Sequence, residues 1–393
     1  MLYNDGIRDN AHEIQNMLDN CGIVMIDRPG EYLISKTLVI HSNTRFILSP
    51  GAHLIMAPES RCAIIENEHF RGGGKDKNIE IIGGTWDGNS DGQGLDAIYE
   101  VQHRLDHPYD PDRFKGKLIR FAHVDALTLE KMTVKDPVSY GIQIGDCTGF
   151  YVRDIIFDYN CNFGTTDGVH IQGDCYNGVI ENLSGTTNDD LVSLTPIDES
   201  HAEVTRGNIA NIVIRNIMGV NAYSGVRLLA CDGFTTTNIL ISGVYGTYRH
   251  NAVLITNHHL KPGTRSYFDD ITVEHVHAHK NVTPLGEEHF TYWDKGAIER
   301  WPVVWVGYDI EIGKLTLRDI SRHERAKTNA PLVYIGKDEL KIGRLYAENI
   351  AQTMDEGIDC PAFICEATVD ELIMHDVQVS GINDTIRKML DRY

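Results

Sequence analysis

The stretch Thr165 to Leu194, TTDGVHIQGDCYNGVIENLSGTTNDDLVSL, carries three carboxylates, Asp167, Asp189 and Asp190. Each borders a short apolar run: Val169-His170-Ile171 follows the first, and Leu191-Val192-Ser193-Leu194 follows the pair. Both runs alternate with period two and read as short strands. Roughly twenty residues separate the acidic positions, about one coil of a parallel β-helix. If the segment between them is one coil, the acidic positions stack on one face and three carboxylates meet. Turn chemistry explains Asp167 alone, since Asp before Gly is common in bends. It explains the Asp189-Asp190 pair poorly, because adjacent like charges are unfavourable unless solvated, paired or used.

The rest of the chain supplies the elements to position them. In DGIRDNAHEIQNMLDNC, the residues Ala11, Ile14, Met17 and Leu18 recur at helical spacing, with Asp9 or Asn10 as a cap and Gly22 as the stop. After Cys21 helical periodicity is scarce. One phrase then keeps returning: NIEIIGGTWDG from Asn78, ALTLEKMTV from Ala126, GFYVRDIIF from Gly149, NGVIENLSG from Asn177, NIVIRNIMG from Asn211, NILISGVYG from Asn238 and DITVEHVHA from Asp270. Weaker copies start at Ile312, Lys341 and Glu371. A spacing of roughly 27 to 33 residues in the middle of the chain marks a repeat architecture. Each copy reads as two brief strands joined at an Asn or Gly corner. An all-β fold follows: a single-stranded right-handed parallel β-helix spanning 1–393 as one domain, with an N-terminal capping helix at about 5–22 covering the open strand edge. A β-sandwich or propeller is the structural alternative, but tight hairpin turns at shorter spacing are few.

Composition narrows the function. The chain has 393 residues and 42% hydrophobic residues, enough for a large core. A formal net charge of −20 opposes nucleic-acid binding, which needs basic surface to displace counterions. No apolar run is long enough to span a membrane. The start, MLYNDGIRDNAHEIQ, lacks the basic and apolar regions of a signal peptide, so the expected location is cytoplasmic, or secreted or periplasmic if a signal was removed. The eight cysteines contain no CxxC pair and are expected mainly as buried thiols. No cofactor and no metal is expected for the main reading. Oligomeric state is left open.

Two stretches break the repeat, 99–117 and 279–307. The second holds Trp293, Trp301 and Trp305, rings that could stack on a sugar or plug the loop against the coil.

In order, DGIRDNAHEIQNMLDNCG, PGEYLI, SNTRFILSPGAHL and GGTWDG resemble the N-terminal rungs of the pectin-lyase-like superfamily. TTDGVHI and NDDLVSL resemble the NTDG and GDD motifs of glycoside hydrolase family 28, the polygalacturonases and their relatives. The resemblance covers Asp5 to roughly Asn257. It implies a carbohydrate substrate and an inverting hydrolysis, in which Asp189 protonates the leaving oxygen while Asp167 and Asp190 activate water. An inverting site places its acid and base about 6.5–9.5 Å apart to admit that water.

The sequence departs from the family at two motifs. NAYSG (221–225) stands where GHG is expected, and NAVLITN (251–257) where RIK is expected. Substrate-binding candidates are therefore His170, Tyr223, Arg227, Arg249, His250, His258 and Trp293. The departures leave the sugar open and make galacturonan one option among several. Two other classes remain: a polysaccharide lyase or epimerase on the same fold, with the Asp trio holding Ca²⁺ and Arg227 or a histidine as base, and a non-catalytic carbohydrate-binding β-helix.

Overall fold

The computed structural model describes residues 1–94, 116–198, 203–230, 233–257, 266–281, 301–307, 309–336 and 340–390. These form an all-β structure of parallel-paired strands with few helical residues. The described chain divides into two compact units, 1–189 with 197–207, and 190–196 with 208–393.

The repeated phrase is the long strand of each rung. In the first unit, Ile119–Glu130 pairs in parallel with Ile142–Asp158, which pairs with Cys175–Thr186. Their register stacks like on like: Ile81, Leu129, Val152 and Ile180 form one inward column, each fully buried. Such columns remove every second side chain from water, at roughly 25 cal/mol per Å² of apolar surface. In a neighbouring column Gly178 lies opposite Phe150. A Cβ there would lie 2.1 Å from the Phe150 ring.

The corners explain the recurring Asn and Gly. Asn216, Gly243, His275, Asp319, Asn349 and Asp376 occupy equivalent positions on successive rungs of the second unit, one residue before the paired Ile217, Val244, Val276, Ile320, Ile350 and Val377. All six have positive φ, from 48° to 82°. Left-handed backbone is disfavoured for most L-residues and is tolerated by Gly, Asn, Asp and His. The corner side chains also bond to one another, as when Asn349 Nδ2 donates to Asp319 Oδ1 at 2.9 Å.

The expected helix is present at Ala11–Asn20 and buries Ala11, Ile14 and Leu18. The N-cap is Asn10, whose side chain makes no capping hydrogen bond to the helix, while Asp9 before it accepts from the Ala11 amide at 3.1 Å. Five described cysteines are buried and all seven are free thiols, as expected. Burial pushes the Cys147 thiol up to about 12, an inert state. No helix among the described residues is long and apolar enough to cross a membrane.

Candidate functional site

Each rung also has a short strand, and these carry the chemistry-bearing side chains. In the first unit Ile142–Asp158 pairs with Val169–Gln172, with Gln143 opposite His170. Gln143 in turn lies opposite Arg120, whose guanidinium is 2.6 Å from Glu66. A column of buried polar groups thus leads to His170.

Asp167 precedes this strand and is 3% exposed. Its carbonyl accepts from the Gly141 amide at 2.8 Å and the Tyr159 hydroxyl at 3.1 Å, which fixes its backbone. Its carboxylate Oδ2 lies 2.5 Å from His170 Nδ1. On the other side of the imidazole, Nε2 is 3.1 Å from Asp198 Oδ2. Asp198 Oδ2 also accepts from the Tyr140 hydroxyl at 3.0 Å and from Gln172 Nε2 at 2.9 Å. The Tyr140 and His170 rings are parallel to within 2° and 4.1 Å apart. Burial opposes a charge on His170, but the close charge of Asp198 and the hydrogen bond to Asp167 outweigh it and hold the imidazole at about 10. At neutral pH it is an imidazolium clamped between two carboxylates.

Asp189 is placed by the residues before it. Asn188 Nδ2 donates to the carbonyls of Cys161 at 3.0 Å and Phe163 at 2.9 Å, and the Thr187 hydroxyl donates to the Asp189 carbonyl at 2.7 Å. Asp189 is only partly buried. Two residues twenty-two apart in sequence so bring oxygens together: Asp167 and Asp189 each place a carboxylate oxygen within 4.8 Å of the other.

In the second unit, Asp190–Thr195 pairs with Ser224–Ala230, which pairs with Val253–Asn257 and onward to Val304–Val306. Arg227 lies opposite Ser193 and Leu254, and Leu254 opposite Trp305. Arg227 Nη1 is 3.4 Å from Asp190 Oδ2, with the carboxylate buried and the guanidinium a quarter exposed. Tyr223 and His250 stack at 4.9 Å, His250 and Trp301 approach to 4.5 Å, and Trp301 and Trp305 to 4.7 Å. Arg249 lies 5.4 Å from the Tyr223 ring centre. Lys280 is buried and its ammonium donates to the His250 carbonyl. Burial, then the charges of Lys280 and Arg227, force His250 well below the usual imidazole range, against a hydrogen bond to Asn251. It is a neutral ring among cations.

Eight sequence candidates therefore have definite surroundings: Asp167, Asp189 and His170 in the first unit, and Asp190 with Arg227, and Tyr223 with Arg249 and His250, in the second. Carboxylates flank both nitrogens of His170, and a tyrosine ring covers one face. His258, Trp293, Cys231 and most of the stretches 99–117 and 279–307 lie outside the described residues. Asp198, Tyr140, Gln172 and Lys280 are not among the residues that the sequence points to. Gln172 was within reach, since period two places it on the same side as His170. Asp198 and Lys280 carry no local signal.

No family model and no curated protein matches the chain. Among solved structures it is similar to a surface protein and adhesin of Streptococcus pneumoniae, at 15% identity and TM-score 0.58, covering 97% of this chain and 98% of that one. It is similar to polygalacturonase from Erwinia carotovora, at 13% identity and TM-score 0.55, covering 95% and 94%. The A-module of a mannuronan C-5 epimerase of Azotobacter vinelandii matches at 13% identity and TM-score 0.54, covering 95% and 97%. At these identities the likeness is one of fold. It agrees with the fold-level resemblance read from the sequence, since family 28 polygalacturonases and other parallel β-helix proteins are among the neighbours.

Proposed function

We propose that the chain is a carbohydrate-active enzyme that hydrolyses glycosidic bonds of a poly- or oligosaccharide, working as one domain with the first helix covering its open strand edge. The observation that carries this reading is the approach of Asp167 and Asp189 to within 4.8 Å, one carboxylate enclosed and ion-paired, the other partly open to solvent. Two carboxylates this close favour keeping one proton between them. The imidazolium of His170 holds Asp167 as the anion, suited to orienting a water. Asp189 is then the group that carries the proton and delivers it to the leaving oxygen, and Asp190 assists with the water.

An acid and base that face each other across a sugar stand roughly 6.5–9.5 Å apart from carboxyl to carboxyl, a distance that the approach of one oxygen from each group does not measure. Inversion thus rests on the sequence resemblance, and the product's anomeric configuration, read by proton NMR, decides it. The substrate-binding role goes to Tyr223, Arg227, Arg249 and His250, with His258 and Trp293 retained from the sequence.

A second reading is a non-catalytic carbohydrate-binding β-helix. It is favoured by the Asp190–Arg227 ion pair, which already engages one of the three acids, and by a fold neighbour that is an adhesin. A lyase or epimerase that uses His170 as base is disfavoured, because that imidazole stays protonated to about pH 10.

The test is reducing-sugar release from galacturonides, rhamnogalacturonan fragments and neutral oligosaccharides, with Asp189→Asn alongside. Release by the unmodified protein alone supports the hydrolase. Glycan binding by both forms without turnover supports the binding module, and an unsaturated product absorbing in the ultraviolet supports the lyase.

A further inference from the structure

The two-residue spacing His275-Val276-His277 sits on one long strand of the second unit, Ser266–Lys280. Its neighbour in the sheet, Ile310–Glu324, places Ser321 opposite His277. By the same register Asp319 falls opposite His275, at the corner where both backbones have positive φ, 53° and 55°. The corner accounts for a His and an Asp at those positions. It does not account for His277, which lies past the bend in ordinary strand.

The bend turns the three side chains together. His275 Nδ1 is 2.6 Å from Asp319 Oδ2, and His277 Nε2 is 3.5 Å from the same oxygen. One donor atom from each residue lies within 4.8 Å of the others. The remaining atoms are tied outward. His277 Nδ1 is 2.7 Å from the Ser321 hydroxyl. Asp319 Oδ1 accepts from Asn349 Nδ2 at 2.9 Å. His275 Nε2 faces Glu274 Oε1 at 3.8 Å, a place for its proton when Nδ1 gives up its own.

We propose that His275, His277 and Asp319 bind a divalent transition-metal ion of the zinc class, a site independent of the proposed reaction. Two imidazole nitrogens and one carboxylate oxygen suit Zn²⁺, and disfavour Ca²⁺ and Mg²⁺, which prefer all-oxygen shells. When the Ser321 hydroxyl accepts the Nδ1 proton of His277, Nε2 carries a lone pair pointed at a carboxylate. A cation between them turns that repulsion into coordination. The ion takes the position of the proton now shared by His275 and Asp319, and those two atoms open by about 0.7 Å to reach the separation of neighbouring ligands on a tetrahedral metal with roughly 2.0–2.1 Å bonds. Ser321, Asn349 and Glu274 are the outer partners that hold the ligands in orientation. All three ligands are partly exposed, between 30% and 46%, so water completes the shell and the site exchanges freely with solvent.

The experiment is Zn²⁺ titration of the full chain by calorimetry, supported by the visible absorption of bound Co²⁺. The chain has 18 histidines, so the readout is a difference. His277→Ala and Asp319→Asn are each expected to lose one equivalent of Zn²⁺ relative to the unmodified protein, and to lose the Co²⁺ band of a low-coordinate site. Asn keeps the left-handed corner and the Oδ1 acceptor, so Asp319→Asn removes charge without removing the bend. Ser321→Ala is expected to keep the stoichiometry and weaken binding about tenfold, the signature of an outer partner. His323→Ala, which removes another histidine beside a carboxylate, is expected to change neither. Equal stoichiometry in all four variants, with circular dichroism unchanged, would overturn the proposal.

Discussion

His170 in the first unit and His250 in the second are both buried, and each is stacked on a tyrosine, Tyr140 and Tyr223. Their neighbours differ in sign. His170 lies between the carboxylates of Asp167 and Asp198 and is held protonated to about 10. His250 has Lys280, Arg227 and Arg249 around it and is held neutral. Burial acts on both imidazoles in one direction, towards neutrality. The comparison teaches that burial alone does not set the state of a ring. Two ion-paired acids overcome it in one unit, and cations reinforce it in the other. The difference also divides the proposed labour: the anionic cluster handles protons and water, and the cationic aromatic cluster meets a ligand.

The largest expected effect tests that division. Asp189→Asn should lower kcat by about 10²–10⁴-fold, the usual contribution of a positioned acid, and leave the melting temperature unchanged because Asp189 is partly exposed. Loss of the fold together with retained activity per folded molecule would remove Asp189 from the acid role.

Next comes the clamp itself. Asp198→Ala leaves Asp167 as the only carboxylate on His170 and strips an acceptor from Tyr140 and Gln172. Breaking a buried pair from one side costs about 3–5 kcal/mol, read as a lowered urea midpoint. A midpoint within error of the parent's would mean that Asp198 does not hold the imidazolium.

The contrast predicts opposite pH slopes. Folding raises His170 from about 6.5 to about 10, so the folded protein binds the extra proton between those values. The stability this confers is fully present below about pH 6.5 and is lost as pH rises through about 10. Lys280 runs the other way. Burial pulls it down to about 7, against the attraction of Glu324, so between there and about 10.5 the unfolded chain binds more protons and stability rises with pH. Urea midpoints measured across that window should therefore fall less steeply in His170→Asn than in the parent, and more steeply in Lys280→Met. Parallel curves in all three proteins would break the comparison.

The smallest effect belongs to Arg227→Ala. Its ion pair with Asp190 is long and a quarter exposed on the arginine side, so little stability should be lost. A rise in KM of about tenfold, equivalent to about 1.4 kcal/mol, is expected if the guanidinium meets the ligand. Unchanged KM would return Arg227 to holding Asp190.

Much of this was legible in the chain. The recurring NIEII-type phrase predicted parallel strands in repeated rungs, because apolar residues alternating with period two and Asn or Gly corners at a near-constant spacing favour little else, but it read as two brief strands where the structure has one long strand running through the corner. Ala11, Ile14 and Leu18 predicted the helix, and the burial of those three residues agrees. The acidic motifs were visible as residue types, since an adjacent Asp pair is a poor turn and a poor core. What the spacing could not supply was the partner of each group. Asp198 reaches His170 from beyond a proline, and Lys280 reaches the carbonyl of His250 from thirty residues away. The strand neighbours of His170 set its side of the sheet but not what lies above it. Local sequence determined the strands, the corners and the list of acids, since backbone propensity and alternation act over a few residues. Only the tertiary structure decided which charges face each buried ring, because those contacts join rungs whose register is set by the packed column as a whole.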